Sequence, residues 1–286
     1  MYELTELFRP LTASPFLNAG HYCEIPPCAP LKPYIRCFWG TAFPVNGKNF
    51  VSQSTLVIPD GCMDVIFRAD YDKGTVKAVF CGLDEEGSFG GSAVTSEGLT
   101  ATFGVRFYLW AASMFTQESL AGTCGGAVAA ECLFPQLFRD ISAVLSRGHS
   151  LAANAQAAEQ ILLRQLTKTP DSDLMNALHI MLKNSGRMSL TDLSMHTGCT
   201  RKRIERLFRE NTGAAPKAVM SVLRYQLLWQ ELLSASGINV LDAVEKYGYY
   251  DQPHLLNDFR RRHLMTPQAA LRHARSAAVA HTADEK

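Results

Sequence analysis

The sequence predicts an α+β chain in which a β-rich amino-terminal half, folded as a small barrel or sandwich with helices, precedes an all-α domain carrying two helix-turn-helix units. Three observations predict it. Residues 34–107 hold short β-branched and aromatic runs broken by Gly and Pro. Beyond Trp110 the apolar spacing changes to three and four. In the last third, two stretches about fifty residues apart repeat one order: apolar helix, Gly, cap and second helix.

The strand candidates are Tyr34–Trp39, Thr55–Ile58, Asp64–Phe67, Thr75–Phe80 and Leu99–Phe107, with Gly61, Gly74, Gly82 and Gly98 among the turn residues between them. Helical periodicity covers Phe134–Leu145 and Leu151–Leu166, with breaks at Gly148 and Thr169-Pro170. The Ala-rich helix ending Ile161–Leu166 suits either a dimer contact or packing on its own barrel, and its heptad run is too short to separate the two. The expected organisation is a β-rich sensor region 1–115, a helical linker or dimerisation region 116–169, a DNA-binding domain 170–275 and a frayed tail 276–286.

The first helix-turn-helix unit runs from Leu190 to Phe208, turning at Gly198 and capped by Thr200. The second runs from Val240 to Arg262, turning at Gly248 and capped by Asp251. With the intervening Arg224-Tyr225, the Gly248-Tyr249 pair, Phe259 and the closing Thr266-Pro267, residues 172–275 resemble the AraC/XylS family of bacterial transcription regulators. Three positions depart from that pattern: Ser194 and Val244 stand where the family usually has Ala, and Leu264 where many members place Gly. Through Pro59–Phe67 and Gly104–Phe107 the first half resembles a cupin-like sensor domain found in part of that family.

Charge is divided as that resemblance implies. Residues 171–275 hold fifteen Lys and Arg against ten Asp and Glu, a net +5, and the rest of the chain is net −4. A positive half suits phosphate neutralisation. A 47 % hydrophobic content over 286 residues supports real cores. With neither a long apolar run nor a signal-peptide start, a cytoplasmic protein is expected.

On the first recognition helix Ile204, Leu207 and Phe208 form the core-facing stripe, which leaves Lys202, Arg206 and Arg209 outward with Glu205 beside them. Arg pairs bidentately with guanine and Glu accepts from cytosine, so Arg206 is the leading base-reader, with Glu205 and Lys202 next to it. The resemblance assigns base contact to the same positions. Thr200 caps the helix, and Arg203, like Arg201, is expected at phosphate or solvent. The bland reading of such a face is a solvated helix, against which stands the complete capped motif.

On the second, Leu255 and Phe259 bury, leaving Gln252, Pro253, Leu256 and Asn257 outward. Gln and Asn suit adenine, and Leu a thymine methyl. Arg260, Arg261 and Arg262 follow as a phosphate clamp. Two reading helices in one chain should span successive major grooves on a long, asymmetric site.

In the first half, Arg36, Asp60, Asp64 and Arg106 are the polar residues among apolar strands, with Trp39, Phe67 and Phe107 as walls. Trp39, Asp64 and Arg106 are the candidate effector residues, Arg106 for an anion. The competing reading pairs Arg106 with Asp64 and leaves Trp39 as core.

Eight cysteines show neither Cys-x-x-Cys nor zinc-finger spacing, which leaves a metal or thiol sensor built on Cys23, Cys28, Cys37 and Cys62 as the alternative. No phosphate loop, His-Glu-x-x-His or Gly-x-Ser-x-Gly elbow points to an enzyme. No cofactor and no metal are expected. The implied partners are double-stranded promoter DNA, RNA polymerase, a small-molecule effector and a second copy of the chain, with no membrane. A ligand-independent dimeric DNA binder is the third reading.

Overall fold

The computed structural model describes residues 2–14, 22–46, 54–91, 98–234 and 239–284. Among these residues a short helix α1 (Tyr2–Leu7) precedes nine strands: β1 (Tyr22–Ile25), β2 (Ile35–Thr41), β3 (Val45–Asn46), β4 (Ser54–Val57), β5 (Cys62–Asp70), β6 (Thr75–Cys81), β7 (Ser88–Gly91), β8 (Leu99–Tyr108) and β9 (Ala127–Ala129). Seven form one antiparallel sheet in the order β1-β2-β8-β5-β6-β9, with β3 on β8, while β4 and β7 pair separately. All five strand candidates are present, extended by one to three residues at most ends.

Among the described residues the large sheet does not close into the expected barrel. Its edges β1 and β9 are only four and three residues long, and β9 runs directly into the helix α2 (Ala130–Leu133), so the edge is covered by the next element. Alternation along β5 and β8 sends Met63, Val65, Phe67, Phe103, Val105 and Phe107 to one face, all fully buried. Over that face lie α3 (Pro135–Leu145) and α4 (Leu151–Gln165), with Phe138 stacked on Phe67 and Phe134 tilted on Phe80. Each buried aromatic contributes roughly 1.5–3 kcal/mol of transfer free energy.

The apolar stripe of α4, Leu151, Ala155, Ala158, Ile161 and Leu162, is buried in this same core. The helix therefore packs on its own sheet, and that stripe is not free for a second copy.

The remaining helices are α5 (Ser172–Lys183), α6 (Leu190–Thr197), α7 (Arg201–Thr212), α8 (Pro216–Leu233), α9 (Val240–Tyr247), α10 (Gln252–His263) and α11 (Pro267–Asp284). Their caps follow the sequence: Asp171, Ser189, Thr200, Asn239 and Asp251 each accept from backbone N–H groups of the first turn. Where a frayed tail was expected from Ser276, the backbone continues helical to Asp284. The run Ala277-Ala278-Val279-Ala280 explains this, since Ala has the highest helix propensity.

The core is continuous across the expected domain boundary. One cluster joins the sheet to α5, α6 and α7 through Leu174, Leu178, Leu193, Ile204 and Phe208. A second, around Tyr225, Trp229, Tyr247 and Phe259, takes in Ala13 and Ile58 from the amino-terminal half. The side-chain amide of Gln226 donates to the carbonyls of Leu11 and Pro59, and the Trp229 indole donates to that of Thr12 at 3.1 Å.

Candidate DNA-binding face and the polar cluster of the sheet

The two recognition helices α7 and α10 have equal length, and α8 carries both. Val219, Met220 and Leu223 of α8 pack in the first unit and Tyr225, Leu228, Trp229 and Leu232 in the second. Each unit turns at a left-handed residue, Gly198 (φ 68°) and Gly248 (φ 64°). Ser194, one of the departures, donates from its hydroxyl to the Cys199 carbonyl at 2.6 Å and so pins the first turn. Val244 is half-buried against the second core.

On α7, Ile204, Leu207 and Phe208 are buried as the periodicity requires. Lys202, Glu205, Arg206 and Arg209 are exposed, and none of their side chains makes a hydrogen bond or ion pair among the described residues. A long cationic side chain left without a partner is available to phosphate or base. Thr200 caps the helix through the Arg203 N–H at 3.3 Å.

Arg203 itself turns away from that face. Its guanidinium holds Asp173 of α5 at 2.5 Å, which keeps the Asp173 carboxyl below its usual range. It ties α7 to α5, as Arg201 ties it to Thr191 of α6.

On α10, Gln252, Pro253, Asn257 and Arg260 are exposed, while Leu256 is half-buried against the second core and offers only part of its side chain to a groove. Arg262 corrects the expected clamp. It is fully buried, pairs with Asp258, and donates to the Ser221 hydroxyl at 2.8 Å. Its guanidinium lies 5.8 Å from the Tyr225 ring centroid. Burial would raise the Asp258 pKa, but Arg262 and the hydrogen bond from Tyr249 hold it below the usual value.

His263, next in sequence, is a structural residue that the basic run concealed. It stacks on Phe259 and shares a 2.8 Å hydrogen bond between its Nδ1 and the Tyr225 hydroxyl. Burial, with a smaller effect from His273, lowers its pKa to about 3, so it is neutral. The spacing Leu255, Phe259, Arg262, His263 continues the buried stripe at i, i+4, i+7 and i+8 and was the available signal.

In the amino-terminal half, Trp39, Asp64 and Arg106 do come together, on the sheet face opposite α3 and α4. Antiparallel register sets Asp64 opposite Arg106, and the guanidinium grips the carboxylate at 3.0–3.2 Å. The Trp39 indole donates to Asp64 at 2.7 Å, and Asp60 adds a second carboxylate 3.4 Å from Arg106. Gly104 makes the room, because a Cβ there would overlap the indole. Arg36 lies apart, paired with Glu24 at 3.7 Å. Asp84, half-buried nearby, is pushed up to about 6 by burial and then by Asp60 and Asp64.

Burial raises the thiols of Cys28, Cys37 and Cys62, the direction opposite to thiolate activation. Among the described residues no three His, Cys, Asp or Glu side chains are grouped to hold a metal, and no helix is long and apolar enough to cross a membrane. A cavity of about 450 Å³ lies between the halves, lined by Trp110, Met114, Lys168, Asp171, Arg203 and Glu210 among others.

Residues 193–273 match a family model described as a helix-turn-helix domain, and residues 23–124 match one described as a domain of unknown function, DUF6597. No curated protein matches the chain. Among solved structures, an AraC-type DNA-binding domain-containing transcriptional regulator from Chromobacterium violaceum is 24 % identical, with 36 % of this chain and 91 % of that one covered and a TM-score of 0.33. ToxT from Vibrio cholerae O395 is 11 % identical over 82 % of this chain and 96 % of its own (TM-score 0.39). Wild-type ToxT with a bound unsaturated fatty acid is 10 % identical over 82 % and 94 % (TM-score 0.36). At these scores the likeness carries no argument about fold or ligand.

The carboxy-terminal part is thus a helix-turn-helix domain, defined by the two capped units and the family match together. A helix-turn-helix domain is a DNA-binding module, and this chain carries one at residues 193–273.

Proposed function

We propose that the protein acts in the cytoplasm on promoter DNA, reading a long asymmetric operator with α7 as the principal base-reading helix and α10 as the accessory one. The observation that carries this is the free outward set Lys202, Glu205, Arg206 and Arg209, opposite a fully buried stripe on the same helix. Gln252, Pro253, Asn257 and the exposed part of Leu256 face the second groove, with Arg260 and Arg261 at phosphate. Mapping the protein's binding sites genome-wide tests it. Expected is one recurring asymmetric sequence whose occupancy is lost with Arg206→Ala, and occupancy spread without sequence preference would overturn it.

A small-molecule effector in the amino-terminal half controls this binding, against Trp39, Asp64 and Arg106. Two carboxylates already neutralise Arg106 and a third, Asp84, lies close, so an anion is disfavoured there and a neutral or cationic effector suits the balance. Titrating candidate compounds while monitoring Trp39 fluorescence and DNA affinity tests it. Each must shift the other's binding by one factor, and binding without that reciprocity would sink the control mechanism.

A further inference from the structure

Two loops of the amino-terminal half grip the carboxy-terminal ends of both recognition helices. Residues 120–124 meet α7: the Leu120 N–H donates to the Glu210 carbonyl at 2.9 Å, beside Gly213. Residues 84–87 meet α10: the Gly87 N–H donates to the Arg261 carbonyl at 3.0 Å, and the Glu86 carboxylate lies 3.9 Å from one guanidinium nitrogen of Arg261, whose other terminal nitrogen donates to Asp258 at 3.1 Å. The loops are themselves joined, since the Gly125 N–H donates to Leu83 at 2.9 Å and the Gly82 N–H to Gly126 at 3.1 Å. The Cys124 thiol reaches Glu85 at 3.5 Å.

The charge of this contact is informative. A helix carboxy terminus carries negative partial charge and disfavours an acidic neighbour. Yet Glu86, the last of the run Asp84-Glu85-Glu86, meets α10 at that end, beside Arg261. A carboxylate on Arg261 takes the place that a DNA phosphate would take, because both are anions suited to the guanidinium fork. The backbone approach is equally specific: a Cβ on Gly87 would overlap the Arg262 carbonyl.

We propose that the 84–87 loop is an autoinhibitory phosphate mimic, which must leave α10 before Arg261 can engage DNA. The docked and DNA-bound states then compete for one guanidinium, and whatever weakens docking strengthens DNA binding. The loop begins at Asp84, near Asp60 and Asp64, so the same segment spans the polar cluster of the sheet and the clamp. This inference rests on the reading of α10 as a DNA-facing helix.

The test uses the full chain and a random-sequence 30-base-pair duplex at low salt, which reports phosphate contact without an operator. Glu86→Gln should tighten binding roughly two- to fivefold, as expected for an exposed ion pair. Gly87→Ala keeps every charge and should tighten it roughly fivefold or more by steric undocking. In an Arg261→Ala background the Glu86→Gln gain should vanish, and Glu131→Gln, an exposed acid on α2 far from the clamp in sequence, should give less gain than Glu86→Gln. If Gly87→Ala weakens binding, the clamp orders the helices for DNA instead, and the proposal is overturned. It is overturned too by a Glu86→Gln gain that survives in Arg261→Ala or equals that of Glu131→Gln. Should Gly87→Ala not fold, the Glu86–Arg261 double-mutant cycle decides alone. Failure of the folded wild-type chain to bind the duplex at all would instead sink the DNA-binding reading itself.

Discussion

The two recognition helices share a length and a register but not a surface. Counting from the caps Thr200 and Asp251, Lys202 of α7 corresponds to Pro253 of α10, Glu205 to Leu256, Arg206 to Asn257 and Glu210 to Arg261. The first helix presents unengaged charge along its outer face. The second has two of its three arginines engaged, Arg262 in the core and Arg261 with Asp258 of its own helix at 3.1 Å and with Glu86 of a loop of the other half at 3.9 Å. One motif is built as a reader, and the other as a reader whose access depends on the rest of the chain.

The largest test of that contrast is Arg262→Ala. Removing it takes from Asp258 its one fully buried cation and leaves it the Arg261 guanidinium at 3.1 Å and the Tyr249 hydroxyl at 3.0 Å, so the cost falls at the lower end of the about 3–5 kcal/mol of a broken buried ion pair. Asn211 occupies the corresponding place on α7, half-buried, with a hydrogen bond only to the Leu207 carbonyl of its own helix. Asn211→Ala should therefore cost about 1 kcal/mol. Denaturant unfolding of both variants measures the difference, and equal losses would mean that the Arg262 network is not what holds the second unit together.

Arg206→Ala should cost about 1–3 kcal/mol at a specific operator and relax base preference, whereas Asn257→Ala, at the matching place on α10, should cost less. Competition binding with single-base operator variants reads this directly. A larger effect from Asn257 would reverse the assignment of principal and accessory reader.

That asymmetry shows which parts were legible in the sequence. The α7 face follows from local rules, a cap, a 3.6-residue period and a Gly turn, so Ile204, Phe208 and the outward Arg206 were all readable. The five strand candidates were readable for the same reason, through turn residues and β-branched runs. Arg203 and Arg262 depart from the outward reading because Asp173 and Ser221 lie far off in sequence, whereas Asp258, four residues before Arg262, was a local signal for the buried pair. The Arg106–Asp64 pair follows from the rule that a charge buried in a strand is paired, and strand register sets the two opposite each other. The open sheet escaped prediction because closure depends on edge pairing, which no local pattern encodes.

A pH dependence separates the units further. His263 has a pKa lowered to about 3 in the fold against about 6.5 when unfolded, so below pH 6.5 the unfolded chain binds the proton and the folded chain resists it. Stability is full above pH 6.5 and falls progressively toward pH 3, with about 2 kcal/mol lost by pH 5. Asp84 acts in the opposite sense. Its raised value of about 6 makes the fold more stable when it is protonated, and that contribution fades as pH rises toward 6. Comparing wild type with His263→Asn across pH 4–8 isolates the histidine, and parallel stability curves would show that it does not titrate on unfolding. The first unit has Thr212 at the equivalent place, a side chain that does not titrate.

The smallest expected effect lies at the ends of the same two helices, where both close through a left-handed residue: Gly213 (φ 73°) after α7 and Leu264 (φ 54°) after α10. A side chain in that conformation costs about 1–2 kcal/mol, because its Cβ crowds the following carbonyl. Leu264→Gly removes that strain but also the packing of a side chain that is 41 % exposed and lies against Gly87. The net should be a stabilisation of about 0.5–1 kcal/mol. The converse change, Gly213→Ala, should destabilise, because the new Cβ takes on the strain and also meets the Leu120 carbonyl and the Thr123 hydroxyl of the docked loop. Thermal unfolding of the two variants should therefore move in opposite directions. If Leu264→Gly instead lowers the melting temperature, the Leu264 side chain matters more as a contact for the 84–87 loop than as a strained cap, and the second unit depends on the amino-terminal half even for the end of its own recognition helix.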